Sequence, residues 1–162
     1  METSEGYLTI NGGTITVDAG GDGLDANTAI AQTGGDVVIF GPTNNGNGAL
    51  DYGQSYEMTG GTLLAFGSTG MLQTISDSSS VGSVVYTGSM QQGSEISLAK
   101  ESGDTLFTCK LEKQAASFIY ASADLEDGAS YTVSSGSSTL GTVTEGAVTG
   151  MGGMGGMRGM RQ

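Results

Sequence analysis

Two short glycine-rich segments carry acidic and amide side chains in similar surroundings. Residues 20–27 read GGDGLDAN and residues 45–52 read NGNGALDY, and in both a Leu-Asp pair follows the glycines. Calcium takes roughly six to eight oxygen ligands from carboxylates, amides and backbone carbonyls, and glycine-rich loops expose their carbonyls. The segments therefore predict a Ca²⁺ site with Asp22, Asp25, Asn47 and Asp51 as candidate ligands. The alternative that these side chains only stabilise solvated turns stays open.

Known calcium-binding motifs fit these segments poorly. The run GGDGLDANT resembles the nine-residue calcium repeat, but Asn27 stands where a large apolar residue belongs and the motif does not recur at that period. The spaced acidic ligands and the closing glutamate of an EF-hand are missing as well. A calcium site here would therefore depend on stacking the two segments rather than on one continuous loop.

The composition favours turn-rich β structure and cationic partners. The chain has 162 residues, 30 glycines, one proline and a formal net charge of −12. Residues 1–99 contain ten carboxylates and no Lys or Arg. The first cationic side chain is Lys100. Nucleic-acid binding needs cationic side chains that displace the counterions of phosphate, so we expect no nucleic-acid partner.

A repeated Gly-Gly pair predicts stacked β-strands. The pairs lie at 12–13, 34–35 and 60–61, so the steps are 22 and 26 residues, and the length variation falls between each pair and the next Leu-Asp. Apolar residues alternate with polar ones on both sides of each pair, which predicts two short strands per repeat around a glycine bend. We predict an all-β fold beginning with a single-stranded right-handed parallel β-helix of about three coils. Antiparallel hairpins with glycine turns are the alternative.

The outward strand face changes along the predicted stack. It carries Thr16 and Asp18 in the first repeat, and then becomes apolar; the residues in the next two repeats are Val38, Phe40, Leu64 and Phe66. A contiguous exposed apolar patch is unusual on a monomer. We therefore predict that residues 83–145 dock on this face, or that another chain does so in an oligomer or other protein contact.

The repeat period is lost after about residue 77, and the second part of the chain predicts a small β-rich module. Residues 76–83 read SDSSSVGS and are interpreted as a polar linker. Turn signals then separate candidate strands at 83–87, 95–99, 105–110, 117–121 and 130–134. The predicted organisation is coils over 1–77, a β module over 78–146 and a disordered Gly/Met tail over 147–162.

Several features bear on the cellular setting. No apolar run reaches the roughly 20 residues of a membrane-spanning helix, so we expect no membrane span. The chain opens Met1-Glu2-Thr3, unlike a signal peptide, and we expect the native N-terminus to lie upstream. Cys109 is the sole cysteine, which excludes an intrachain disulfide, and it is expected to be a small buried apolar residue.

Catalytic groups are scarce, and we predict that the protein is not an enzyme. A polysaccharide lyase needs a Lys or Arg base, which residues 2–99 lack, and the chain has no His for a triad. Asp22 and Asp25 are close enough in sequence for a glycosidase pair, but a neighbouring Ca²⁺ would hold both ionised.

The chain resembles the bacterial carbohydrate-binding family of surface parallel β-helix proteins, formerly a domain of unknown function. The resemblance rests on the segments INGGTITV, GGDGLDAN, GNGALDY and MTGGTLLAFGSTGM, which are followed by a β segment and a Gly-Met tail. The resemblance implies a pectate-lyase-like fold, calcium binding and attachment to plant cell-wall polysaccharides, acidic ones included. Residue by residue, it supports Asp22, Asp25, Asn47 and Asp51 as ligand candidates.

Taken with the residues, this resemblance leads us to expect noncatalytic, calcium-dependent binding of a polysaccharide such as polygalacturonate, outside the cell or at its surface. Asn27, Tyr52 and Tyr56 are the candidate sugar contacts. Two alternatives remain: a structural or adhesion domain that calcium only stabilises, and a vestigial enzyme related to polysaccharide lyases.

Overall fold

The protein is all-β in a computed structural model that describes residues 4–147. Twelve strands and no helix occur in this part of the chain, and the sheets mix parallel and antiparallel pairs without a closed barrel. The first six strands are β1 (Tyr7–Asp18), β2 (Leu24–Ala26), β3 (Ala29–Phe40), β4 (Leu50–Tyr52), β5 (Ser55–Met58) and β6 (Thr62–Gly67). The other six are β7 (Gly82–Met90), β8 (Glu95–Lys100), β9 (Thr105–Lys110), β10 (Ala115–Ser122), β11 (Ser130–Ser135) and β12 (Ser138–Thr144).

The three Gly-Gly repeats form parallel layers, as the sequence predicts. β1 pairs with β3, and β3 pairs with both β5 and β6, all in parallel, which excludes antiparallel hairpins for this part. The register joins Ile15 to Val37 and Val37 to Leu63, matching the steps of 22 and 26 residues. The second glycine of each pair has a positive φ, where L side chains are strained, and this bends the chain between its two strand segments.

The segment interpreted as a polar linker is part of the stack instead. Ser76 N donates to Tyr56 O at 2.8 Å and Ser80 N donates to Met58 O at 3.0 Å, so residues 76–80 lie against β5. Ser79 is 3% exposed and Val81 is 2% exposed. The linker prediction was wrong because serine hydroxyls supply hydrogen bonds that an apolar pattern does not reveal.

The second part of the chain is joined to the stack within one sheet. β10 pairs antiparallel with β6 on one side and with β7 on the other, giving the order β1-β3-β6-β10-β7, with β5 beside β3. A separate antiparallel sheet has the order β12-β11-β8-β9. The five predicted strands of this part are present, but β12 was missed, because its sequence STLGTVT has few apolar residues.

Two hydrophobic cores hold these layers. The first fills the interior of the parallel layers and includes Ile30, Ile39 and Leu63. The second lies between the outer face of β3 and β6 and the later strands, and includes Phe66 and Phe118. Each fully buried side chain of this size contributes about 1.5–3 kcal/mol relative to exposure.

The apolar outer face is covered by the chain itself. Phe40 and Phe66 stack with ring centroids 6.0 Å apart, and they are 6% and 1% exposed. Leu64 is buried in the same core and Val38 packs against it. The prediction that residues 83–145 dock here is confirmed. The alternative of an oligomer or protein contact through Val38, Phe40, Leu64 and Phe66 was wrong, because the later strands already bury this face.

A loop of the later part also reaches the first layer. Lys113, between β9 and β10, places its Nζ 2.6 Å from Asp18 Oδ1 and 2.7 Å from Ala19 O. Cys109 on β9 is half-buried rather than fully buried, and burial raises the pKa of its thiol. The predicted Gly/Met tail, apart from Ala147, lies outside the described residues.

Candidate functional site

The two Leu-Asp pairs, Leu24-Asp25 and Leu50-Asp51, lie where the chain turns between strands, and we call them the Leu-Asp corners. They stack directly on each other. β2 and β4 form a small parallel sheet in which Leu24 pairs with Leu50 and Asp25 pairs with Asp51. Both leucines are buried, which holds the neighbouring aspartates on the outer side. The sequence predicts this pairing, since a Leu-Asp pair follows the glycines in both glycine-rich segments.

Glycine is required where these corners meet. Leu24 N donates to Ala49 O at 3.0 Å, and Gly23 N donates to Gly48 O at 3.1 Å. A Cβ on Gly23 would lie 2.3 Å from Ala49 O, so a larger residue would separate the two corners. The glycines therefore bring the acidic side chains of two successive parallel layers, here also called rungs, close together.

Three carboxylates meet at this edge, and we call Asp22, Asp25 and Asp51 the acidic corner. Asp22 Oδ1 accepts a hydrogen bond from Gly48 N at 2.8 Å, which ties the first glycine-rich loop to the second. Burial raises the pKa of Asp51, and the charges of Asp22 and Asp25 and a hydrogen bond to Asp22 raise it further. Like charges close together repel one another, so the acidic corner favours a neutralising cation.

Asn47 has other partners in this structure. Its Nδ2 donates to Asn44 Oδ1 at 2.9 Å, and its backbone oxygen accepts from Ser68 Oγ at 2.8 Å. Asn44 in turn donates to Gly20 O at 3.4 Å. The structure therefore places Asn47 in a loop network beside the acidic corner, where it is hydrogen-bonded to Asn44 and Ser68.

The acidic corner fits calcium in charge but is not a ready-made cage. Within residues 4–147, no three His, Cys, Asp or Glu side chains have the arrangement of a metal site. Calcium also accepts amide and backbone oxygens and tolerates irregular geometry, so three carboxylates without a complete cage still offer part of a ligand set. Burial raises the pKa of Asp51, the charges of Asp22 and Asp25 raise it further, and a bound cation would offset that repulsion.

The predicted sugar contacts differ in accessibility. Asn27 is exposed, and its Nδ2 donates to Ser4 Oγ at 3.1 Å. Tyr52 is half-buried, its hydroxyl donates to Thr74 O, and burial raises its pKa. Tyr56 is 0% exposed and its hydroxyl donates to Gln32 Oε1 at 2.6 Å. Tyr56 was therefore wrong as a sugar contact, because no part of its ring reaches the surface.

Tyr7 is an exposed aromatic residue that was not among the predicted sugar contacts. It is 67% exposed, at the start of β1. The strand alternation could have revealed it, because Leu8 and Ile10 face the core and Tyr7 and Thr9 must then face outward.

The later part of the chain has its own polar cavity. It measures about 400 Å³ and is lined by residues that include Lys100, Glu126 and Tyr131. Lys100 Nζ lies 3.5 Å from Glu126 Oε1, and Glu126 N donates to Tyr131 Oη at 2.7 Å, so its polar groups are engaged with one another.

The fold and the acidic corner define an all-β protein with stacked parallel strands and a carboxylate cluster on one edge of the stack. The chain matches no known protein-family model, no curated protein and no solved structure. No helix that could cross a membrane occurs between residues 4 and 147.

Proposed function

We propose that this protein is a noncatalytic module that binds polysaccharide of the plant cell-wall type, including acidic chains such as polygalacturonate, through Ca²⁺ held at the acidic corner. The observation that carries the proposal is the convergence of Asp22, Asp25 and Asp51, whose charges add to burial in raising the pKa of Asp51. Clustered carboxylates of this kind are relieved by a divalent cation.

The fold supports the same proposal. The parallel register advances by 22 and then 26 residues while both corners stay aligned. We infer that these layers are the coils of a single-stranded right-handed parallel β-helix, the fold that the resemblance to bacterial carbohydrate-binding proteins implies. In such a stack, one ion could take its ligands from successive coils, and Asp25 and Asp51 lie in register on adjacent strands.

Calcium would act as a bridge between two acidic partners. The chain has a net charge of −12, so direct contact with a polyuronate is repulsive at short range even in physiological salt. An ion bound at an exposed edge keeps open positions that a uronate carboxylate can fill. Asn47 lies on the loop beside the acidic corner and Asn27 follows Asp25 by two residues, so both offer amide oxygens as further candidate ligands.

The setting that suits such a site is extracellular or on the cell surface. Asp25 is exposed and the carboxylates are few, which gives weak binding of the kind found in extracellular modules, with dissociation constants of about 10⁻⁴–10⁻³ M. An ion of that affinity is bound where calcium is abundant.

The second candidate is a structural or adhesion domain in which calcium only stabilises the stack. The hydrogen bond from Gly48 N to Asp22 Oδ1 favours it, because this carboxylate already joins two loops. Under that alternative, calcium would raise thermal stability and no polysaccharide would bind.

Replacing Asp25 by Asn tests the proposal. We expect calcium affinity to fall about tenfold or more, since losing one contact to a charged group costs about 1.5–3 kcal/mol, and polygalacturonate binding to fall with it. Calorimetry with Ca²⁺ and a polygalacturonate pull-down measure both quantities. Asp104→Asn is the matched control, because Asp104 is an exposed aspartate in the β8–β9 turn.

Two outcomes would contradict the proposal. Polygalacturonate binding that persists in excess chelator would show that the sugar is held without calcium. Calcium binding without any polysaccharide binding would favour the structural alternative.

A further inference from the structure

The stack of parallel strands is open at its first rung. In the sheet order β1-β3-β6-β10-β7, β1 is an outermost strand, and among residues 4–147 its only strand partner is β3. A Cβ on Gly12 of β1 would meet nothing within 4 Å, whereas one on Gly34 would lie 2.7 Å from Asn11 O of the rung before it. The unpaired side of β1, which we call the open edge, therefore has room for a further strand.

The apolar interior is incompletely covered at the same end of the stack. Three side chains of β1 pack against the first core but are only partly buried, and these are Leu8, Ile15 and Val17. Their register partners on β3 are no more than 1% exposed, and these are Ile30, Val37 and Ile39. Removing the β1 side chains from water would be favourable, so the open edge gains from a partner that also covers the core.

The open edge lacks the features that usually keep edge strands from pairing. Exposed edges are commonly protected by charged side chains, by proline or by a covering element. Residues 7–17 contain no charged residue and no proline. The single carboxylate of β1, on Asp18, lies 2.6 Å from Lys113 Nζ. Although the chain carries −12 overall, another acidic molecule can therefore approach this strand without meeting a row of carboxylates.

The sequence of β1 is nearly symmetric about its two glycines. Counting outward from Gly12 and Gly13, the equivalent positions are Asn11 and Thr14, Ile10 and Ile15, Thr9 and Thr16, and Leu8 and Val17. Side chains directly opposite each other in an antiparallel pair lie on the same face and interact. Two β1 strands paired about this centre bring apolar residues opposite apolar residues and Thr9 opposite Thr16. Asp18 then lies opposite Tyr7, so the pairing opposes no like charges.

We propose that the open edge binds a second copy of this chain, and that two molecules join end to end through antiparallel pairing of their β1 strands. The dimer has twofold symmetry, because the same surface of each copy meets the other. Head-to-tail stacking is not available, because β10 pairs with β6 at the other end of the parallel layers. The proposal does not rest on the function proposed above, because β1 contributes no residue to the acidic corner.

The size and charge of the contact indicate a reversible dimer. Each copy contributes the 12 residues of β1, fewer than the roughly 20–30 residues per side of a standard interface. Two molecules that each carry −12 also repel one another at a distance, and salt screens that repulsion. We therefore expect the dimer population to rise with protein concentration and with salt concentration.

Sedimentation equilibrium tests the proposal. The average mass of the wild-type protein should rise from 16.2 kDa toward twice that value as the protein concentration increases. Thr9→Glu/Thr16→Glu should weaken dimerisation about tenfold or more, because two exposed positions that face each other across the dimer then carry like charges. Thr105→Glu/Thr139→Glu adds the same charge at exposed positions of β9 and β12 and should dimerise like the wild-type protein.

An exchange of charges tests the antiparallel register. Thr9→Lys/Thr16→Glu places opposite charges across both symmetric contacts and should dimerise at least as well as the wild-type protein. Thr9→Lys/Thr16→Lys should dimerise poorly alone but form heterodimers with Thr9→Glu/Thr16→Glu. Circular dichroism checks that every variant is folded, which we expect because both threonines are exposed.

Three outcomes would overturn the proposal or its geometry. A wild-type protein that stays monomeric as its concentration and the salt are raised would show that the open edge has no affinity for a second copy. Equal dimerisation of the wild-type protein and Thr9→Glu/Thr16→Glu would place the interface elsewhere. Poor dimerisation of folded Thr9→Lys/Thr16→Glu would rule out the pairing centred on Gly12 and Gly13.

Discussion

Gln32 shows how single residues join the rungs of the stack. It is 0% exposed, and its Nε2 donates to Gly35 O and Thr62 O, each at 3.1 Å. Its Oε1 accepts from the Tyr56 hydroxyl. A buried polar side chain is costly unless its atoms have partners, and here every one does. Gln32 therefore replaces an apolar core residue with bonds between the second rung and the third.

Asp51 gives the protein a pH dependence with a definite sign. Burial and then the charges of Asp22 and Asp25 raise its pKa in the folded state above the ordinary value of 3.8. A group of this kind favours folding below its unfolded pKa, and that contribution is lost as the pH rises through its folded pKa. The contribution of Asp51 to the stability of the ion-free protein should therefore fall as the pH rises above about 4.

Replacing Asp51 by Asn should remove this loss. In excess chelator at pH 7, we expect the variant to be more stable than the wild-type protein by about 0.2–1 kcal/mol, because the like-charge contact opposite Asp25 is gone. The difference should disappear below pH 3.8. Urea unfolding at both pH values measures it, and identical pH profiles for the two proteins would contradict the cause assigned here. With saturating calcium the order should reverse, because the variant has lost a ligand.

At the scale of the elements, the Gly-Gly corners decide which strands can stack. A Cβ on Gly60 would lie 2.3 Å from Thr33 O, and one on Gly34 would lie 2.7 Å from Asn11 O. Both contacts are with backbone of the preceding rung, which side-chain rotation cannot relieve. The first glycine of the later pairs is thus required for close approach, while the second supplies the bend.

Two alanine substitutions at equivalent corners make a matched test. Gly60→Ala should destabilise the protein by about 1–3 kcal/mol, the usual cost of forcing extra atoms into a packed region. Gly12→Ala meets nothing within 4 Å and should be neutral or stabilising by up to about 1 kcal/mol, because alanine restricts the unfolded chain. Chemical denaturation of both variants compares the free energies of unfolding. Equal effects would show that close stacking is not the reason for the glycine.

The elements that the sequence predicts are those whose pattern is local. Leu24 and Leu50 precede the aspartates at equal spacing from the Gly-Gly pairs, so the register of the acidic corner could be derived before the structure was known. Residues 76–80 could not, because serine side chains rather than apolar residues attach them: Ser76 Oγ accepts from Tyr56 N. The position of β10 between β6 and β7 depends on contacts far apart in sequence, which no local pattern specifies.

On the scale of the whole molecule, the parallel layers and the later strands share a sheet and a core. Phe66 of β6 stacks on Phe40 and meets Phe118 of β10 edge-on at 5.8 Å. Lys113 adds an ion pair to the first layer. We expect these shared contacts to make the two parts unfold together.

Phe66→Ala tests this coupling. The substitution should lower the free energy of unfolding by about 3–5 kcal/mol, as is usual for a buried phenylalanine. In the wild-type protein, far-ultraviolet circular dichroism and tyrosine fluorescence should report the same single unfolding transition, because the two parts unfold together. Leu140→Ala, at an exposed position, should change stability by no more than about 0.5 kcal/mol. Two well-separated wild-type transitions would contradict the coupling.

The antiparallel strand β10 also sets a limit on length. It pairs with the outer edge of β6 from Thr62 to Gly67, so a fourth parallel strand could not hydrogen-bond to β6 there. Growth by gene duplication is therefore confined to rungs inserted before β6. Each insertion would cost 22 to 26 residues, the steps already present, and would lengthen the molecule by about 4.8 Å. The stack can therefore be lengthened by inserting layers before β6, without altering the strands that cover its outer edge.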